Sequence, residues 1–186
     1  MKYVSIGIIM KNSTEEILNL SHCIGRFRLT GLQALLWLRG RQAFAATQSA
    51  AEIRELKHLE EMGLVILADD GPSGEYFALT RATLVCTEKK RSFLGLTKEE
   101  KMVLTWMTGA GLHLTAAEVV YLVENRISPK PELLGEQNRQ ALVERIYTTD
   151  TIADSLLELQ MAHVPGRDKA VRILMSLVTK GYLILI

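Results

Sequence analysis

The chain has 186 residues, 48 % of them apolar and 23 % charged, with a formal net charge of +1. That length allows one domain or two small ones. The near-neutral balance excludes a disordered polyelectrolyte and a protein built around a polyanion.

Residues 3–10 are apolar and rich in Val and Ile, the pattern of a strand. Ser13 stands three positions before Glu16, a capping-box spacing that predicts a helix with Ile17, Leu20 and Ile24 on one face. Thr30 and Gln33 repeat that spacing. They open a predicted helix through Arg39, largely buried through Leu32, Leu35, Leu36 and Leu38 and ended by Gly40. Residues 42–48 are Ala-rich and predict a short helix. Over 49–62, Ile53, Leu56, Leu59 and Met62 recur at three-residue steps, the core stripe of a further helix. Residues 64–68 and 76–79, joined by the turn-forming 69–74, predict a β-hairpin, and Thr80 a cap for a helix over 81–87. Residues 88–95 read as a linker. Thr97 with Glu100 and Thr115 with Glu118 are two more capping boxes. Helical patterns follow over 133–147, 150–161 and 167–180, and a strand over 182–186.

One segment occurs twice. Ile53-Arg54-Glu55-Leu56 leads through Leu59 and Gly63 to Ile66-Leu67, and Val171-Arg172-Ile173-Leu174 leads through Leu177 and Gly181 to Ile184-Leu185. Each copy reads as an amphipathic helix stopped by Gly and running into an apolar strand. Trp37 and Trp106 occupy comparable places in their helices and read as core anchors. The expected organisation is residues 1–87 as a first unit, 88–95 as a linker and 96–186 as a second, helix-rich unit. The first and last strands have no neighbour in sequence to pair with, so the termini are expected to lie close together.

From Leu29 to Leu84 the chain resembles the winged-helix domains of bacterial regulators. The likeness is clearest from Ser49 through Gly63 to Tyr76-Phe77-Ala78-Leu79-Thr80. It implies a mainly α fold with short strands, made of two winged-helix-like units in tandem, the second with inserted helices. Winged helices bind both DNA and proteins, so the resemblance implies fold before function. A looser likeness to type VII secretion chaperones lies in the spacing of Leu29-Thr30, Leu35-Leu36 and 59–65.

In a DNA-reading winged helix the outer face of the third helix enters the major groove. In the first copy that face offers Glu52, Glu55 and His58, and the expected wing tip carries Asp69 and Asp70. These acidic groups would repel phosphate and are candidates for a protein partner instead. The second copy offers Arg167, Lys169, Arg172 and Lys180, and the linker offers Lys89, Lys90 and Arg91, the candidate nucleic-acid contacts. Two readings stand: a protein-binding adaptor, chaperone or scaffold, or a DNA-binding regulator. A small-molecule sensor would need a pocket.

No catalytic, cofactor or metal motif is expected. The Thr108-Gly109-Ala110-Gly111 string lacks a preceding strand and reads as an interhelical turn. His22, His58, His113 and His163 share no ligand spacing, and His22 and Cys23 would point apart on a helix. Apolar stretches such as 6–10 and 119–123 fall far short of the roughly 20 residues of a membrane span. With no signal-peptide pattern, Cys23 and Cys86 are expected to be reduced core thiols of a cytoplasmic protein.

Overall fold

Residues 3–7 are buried without a break, as in a strand covered on both faces, whereas along 17–20 and 25–28 burial alternates residue by residue, as in a strand with one face open. In the computed structural model, which describes residues 1–14, 16–69, 72–87, 93–109, 114–134, 139–146 and 165–186, three small antiparallel sheets and seven α-helices make a mixed α/β fold.

The first sheet has β1 (Lys2–Ser5) between β5 (Ala45–Ala46) and β6 (Val65–Ala68). The second runs β2 (Ile8–Ile9), β3 (Ile17–His22), β4 (Gly25–Thr30). The third pairs β7 (Leu84–Cys86) with β8 (Leu183–Leu185). The helices are α1 (Gly31–Gly40), α2 (Ala50–Glu61), α3 (Pro72–Thr80), α4 (Lys98–Gly109), α5 (Ala116–Glu124), α6 (Arg139–Ile146) and α7 (Pro165–Thr179), with a 3₁₀ turn at Pro131–Leu133.

Several expectations are corrected. The helix expected after Ser13 is the strand β3, because Leu18 and Leu20 are buried while Ile17 and Asn19 are half-buried, a period of two. The Ser13 hydroxyl closes the β2–β3 turn: it accepts from Asn19 N–H (3.0 Å) and lies 3.1 Å from the Asn19 carbonyl. The short helix expected over 42–48 is instead β5, where Ala45 pairs with Tyr3. The expected 64–79 hairpin keeps only its first strand. β6 pairs with β1 (Tyr3 opposite Leu67), and α3, with Pro at its first position, occupies the place of the return strand. The helix expected over 81–87 is β7, drawn into a sheet by the C-terminus: Thr83 and Ile186 exchange two backbone hydrogen bonds of 2.8 and 2.9 Å. The 3–10 strand splits at Gly7 into β1 and β2. The 150–161 helix lies outside the described residues.

Two of the expected capping boxes form and the one at Thr30 does not. Thr97 and Glu100 bond reciprocally at α4, as do Thr115 and Glu118 at α5. Thr30 makes no cap bond, and Gln33 donates to Glu55 on α2 (3.0 Å) instead of reaching back.

β1 lies between two cores. Tyr3 packs with Leu36, Trp37, Leu56 and Leu59, whereas Val4 and Ile6 join a larger core around Trp106, Leu122 and Leu174. Each Trp is fully buried, as expected, and donates its indole N–H to a carbonyl: Trp37 to Ile6 (3.1 Å), Trp106 to Ile127 (3.3 Å). The first and last strands lie in different sheets but touch, Gly7 N–H donating to the Leu185 carbonyl (2.9 Å). α3 and β7 pack against the second half, α3 on α7 and β7 on β8.

Candidate interaction surfaces

The basic residues of the second copy are partly committed to carboxylates. Lys169 and Arg172 are exposed on α7, and Lys180 follows its last turn. Lys169 lies 3.3 Å from Glu99, and Lys180 lies 2.6 Å from Glu100, which also accepts from the Ser176 hydroxyl (2.6 Å). Burial pushes the Glu100 carboxyl up, but the bonds from Lys180, Ser176 and Thr97 together outweigh it and hold it down at about 2. Lys180 is therefore a structural cation, tying the end of α7 to the start of α4. Arg167 lies in the first turn of α7. Lys89, Lys90 and Arg91 lie outside the described residues.

The acidic candidates of the first copy separate. Glu52 was expected on an exposed face, yet it is buried. Its carboxylate accepts from Gln48 N–H (2.7 Å) and from the Arg39 guanidinium (2.9 Å), and these bonds lower its pKa in that order. It stands in the first turn of α2, where a carboxylate also meets the positive end of the helix. Glu55 is half-buried against Gln33. His58 is exposed, 3.6 Å from Glu61, and Asp69 is exposed beyond β6. Asp70 lies outside the described residues.

The open apolar surface lies on α1, which was expected to be largely buried. Of its leucines only Leu36 is buried; Leu32, Leu35 and Leu38 are 38 %, 61 % and 47 % exposed. At spacings of three they share one side of the helix. Arg39 is the only charged residue of α1 and is held by Glu52, so this side carries no free charge of its own. A sequence signal existed: leucines at 32, 35, 36 and 38 span more of the helix circumference than one core can cover.

Two hollows have no counterpart in the sequence pattern. One, of about 650 Å³, lies between β2 and β8 and is lined by Ser5, Ile9, Arg41 and Cys86 among others. The second, about 450 Å³, is bordered by Arg126, Lys130, Arg145 and Glu132. The Ser5 hydroxyl is buried without a hydrogen bond among the described residues. Both thiols are free; Cys86 packs against the larger core as expected, and Cys23 does not. Cys23 is exposed on the β3–β4 turn with its sulfur 3.4 Å from His22 Nδ1, a closeness the turn allows and a helix would not. Cys86 is half-buried, and burial pushes its thiol up.

Among the described residues no group of His, Cys, Asp or Glu is placed to hold a metal, and no helix is long and apolar enough to cross a membrane. In comparison with known proteins, no family model, curated sequence or solved structure matches the chain.

Proposed function

We propose that the chain is a non-catalytic protein-binding module, an adaptor, chaperone or scaffold, whose partner covers the leucine side of α1. The observation that carries this reading is the row Leu32, Leu35 and Leu38, open to solvent on a helix whose single charge is neutralised internally. Contiguous exposed apolar surface marks interaction sites, and fully burying a leucine contributes roughly 1.5–3 kcal/mol. The tandem winged-helix reading rests on the two helix–Gly–strand units and belongs to the same proposal. The alternative, a DNA-binding regulator, is weakened because Lys169 and Lys180 already sit on carboxylates of α4.

The test is capture with the intact chain beside Leu35→Glu/Leu38→Glu, followed by cross-link mapping. A protein held by the wild type, cross-linked to α1 and lost from a variant of unchanged melting temperature supports the reading. Nuclease-sensitive retention, or equal retention by the variant, overturns it.

A further inference from the structure

The hollow between β2 and β8 is bounded by two strand edges whose outward backbone groups, beyond the Gly7–Leu185 hydrogen bond, have no partner among the described residues. In an antiparallel ladder, directly opposed residues alternate between bonding each other and pointing away. On β2, Met10 N–H bonds the Asn19 carbonyl, which by alternation places Ile8 in a bonded pair with Ser21 and turns Gly7 and Ile9 outward. On β8, Ile186 bonds Thr83 and Tyr182 accepts from Thr87, so Ile184 faces β7 while Leu183 and Leu185 turn outward. The two outward edges meet at the Gly7–Leu185 hydrogen bond and then line the two sides of the hollow. Ile9 and Leu183 thus each present an N–H and a carbonyl to it. Unpaired edges of this kind template a further strand.

The charge within the hollow selects what that strand carries. Among the described residues lining it, Arg41 is the one that carries a charge. Its guanidinium stacks over Trp37 at 5.7 Å and forms no ion pair among the described residues. Burial pushes the Arg41 pKa down, yet an arginine stays charged in proteins, so its partial desolvation, offset in part by the Trp37 ring, favours an anion beside it.

We propose that this wedge receives an extended peptide segment of a partner protein, paired through its backbone to the edges of β2 and β8, with an acidic side chain on Arg41. The site deepens the protein-binding reading but is separate from the α1 leucines, so either can fail alone.

The test uses the intact chain with Cys23→Ser, leaving Cys86 as its one thiol. Displayed random peptides of about seven residues, enough for an ordinary strand, are selected on it, and the winners are synthesised. Expected are peptides with one acidic residue that slow alkylation of Cys86. Glu→Gln in the peptide or Arg41→Gln in the protein should each weaken them about tenfold, the effect of one charge-assisted hydrogen bond. Methylating alternate peptide backbone nitrogens should abolish binding. Ile9→Pro, which deletes an outward N–H on an edge strand, gives an independent reading if Arg41→Gln fails to fold. Leu35→Glu/Leu38→Glu should leave peptide affinity unchanged. The proposal is overturned if no peptide is selected, if winners ignore Arg41→Gln and Ile9→Pro, if they bind when N-methylated, or if acetate competes as well as the peptide.

Discussion

The two helix–Gly–strand units close in the same way and then diverge. After α2, Gly63 N–H donates to Glu60 and Leu64 N–H to Leu59; after α7, Gly181 N–H donates to Val178 and Tyr182 N–H to Leu177. Both glycines take the left-handed conformation that this closure requires, with φ of 67° and 72°. Yet β6 enters a sheet with β1, while β8 pairs with β7. A Gly and the hydrophobic residues around it dictate how a helix ends. Which strand receives the next segment depends on distant chain, so identical local chemistry serves two different sheets.

The units also differ in how their helices are locked. In the first, Glu52 at the start of α2 reaches Arg39 at the end of α1; in the second, Glu100 at the start of α4 reaches Lys180 and Ser176 at the end of α7. Each lock joins one helix start to another helix end, but the second gathers three bonds on a carboxylate buried to 97 %, against two on Glu52.

The largest effect expected from breaking either unit is at its tryptophan. Trp37→Ala and Trp106→Ala should each cost about 3–5 kcal/mol in urea unfolding, since each empties a fully buried site and strands a carbonyl. A cost below about 1 kcal/mol at one of them would show that its core is not closed. Next is the Glu100 lock. Its folded pKa of about 2 lies below the ordinary 4.5, so its contribution is full above 4.5 and is lost as pH falls toward 2. That contribution is about 3 kcal/mol; Glu100→Gln should remove this part of the acid sensitivity, which stability measured from pH 6 to pH 2 will read. Gly63→Ala and Gly181→Ala should each cost about 1–2 kcal/mol, because a Cβ disfavours the left-handed conformation. Equal costs would sharpen the equivalence of the two caps. The Cβ at Gly63 would also lie 3.2 Å from the tip of Ile24, which can swing aside. Smallest are the N-caps: Ser49→Ala and Thr97→Ala should each cost about 1 kcal/mol in melting experiments.

How far the sequence could be read follows from where each bond goes. α2, α4, α5 and α7 were legible because periodicity and caps act within a few residues, as at Thr97–Glu100 and Thr115–Glu118. The 13–24 segment was not, because Ser13 satisfies the helix-start pattern and a strand turn equally well until Asn19 takes its hydroxyl. The hairpin expected after Gly63 does not form for a related reason: β6 finds its partner in β1, more than fifty residues earlier, and the chain beyond is free to form α3. Of the candidate surface residues, Glu52 is buried against Arg39 of α1, whereas Lys180 stays exposed and is tied to the buried Glu100 of α4, pairings that a helix-wheel face does not reveal. Arg41 and the β2–β8 wedge gave no local pattern at all, since the wedge exists only where two termini meet.

The most direct measurement of the protein-binding account is titration of the intact chain with random double-stranded DNA over a salt series, with Arg167→Glu/Arg172→Glu beside the wild type. With Lys169 and Lys180 engaged by Glu99 and Glu100, the account predicts no saturable binding even at low salt, where non-specific affinity is greatest, and no difference between the two proteins. A steep salt slope that the double variant flattens would contradict it and assign the α7 face to phosphate contacts.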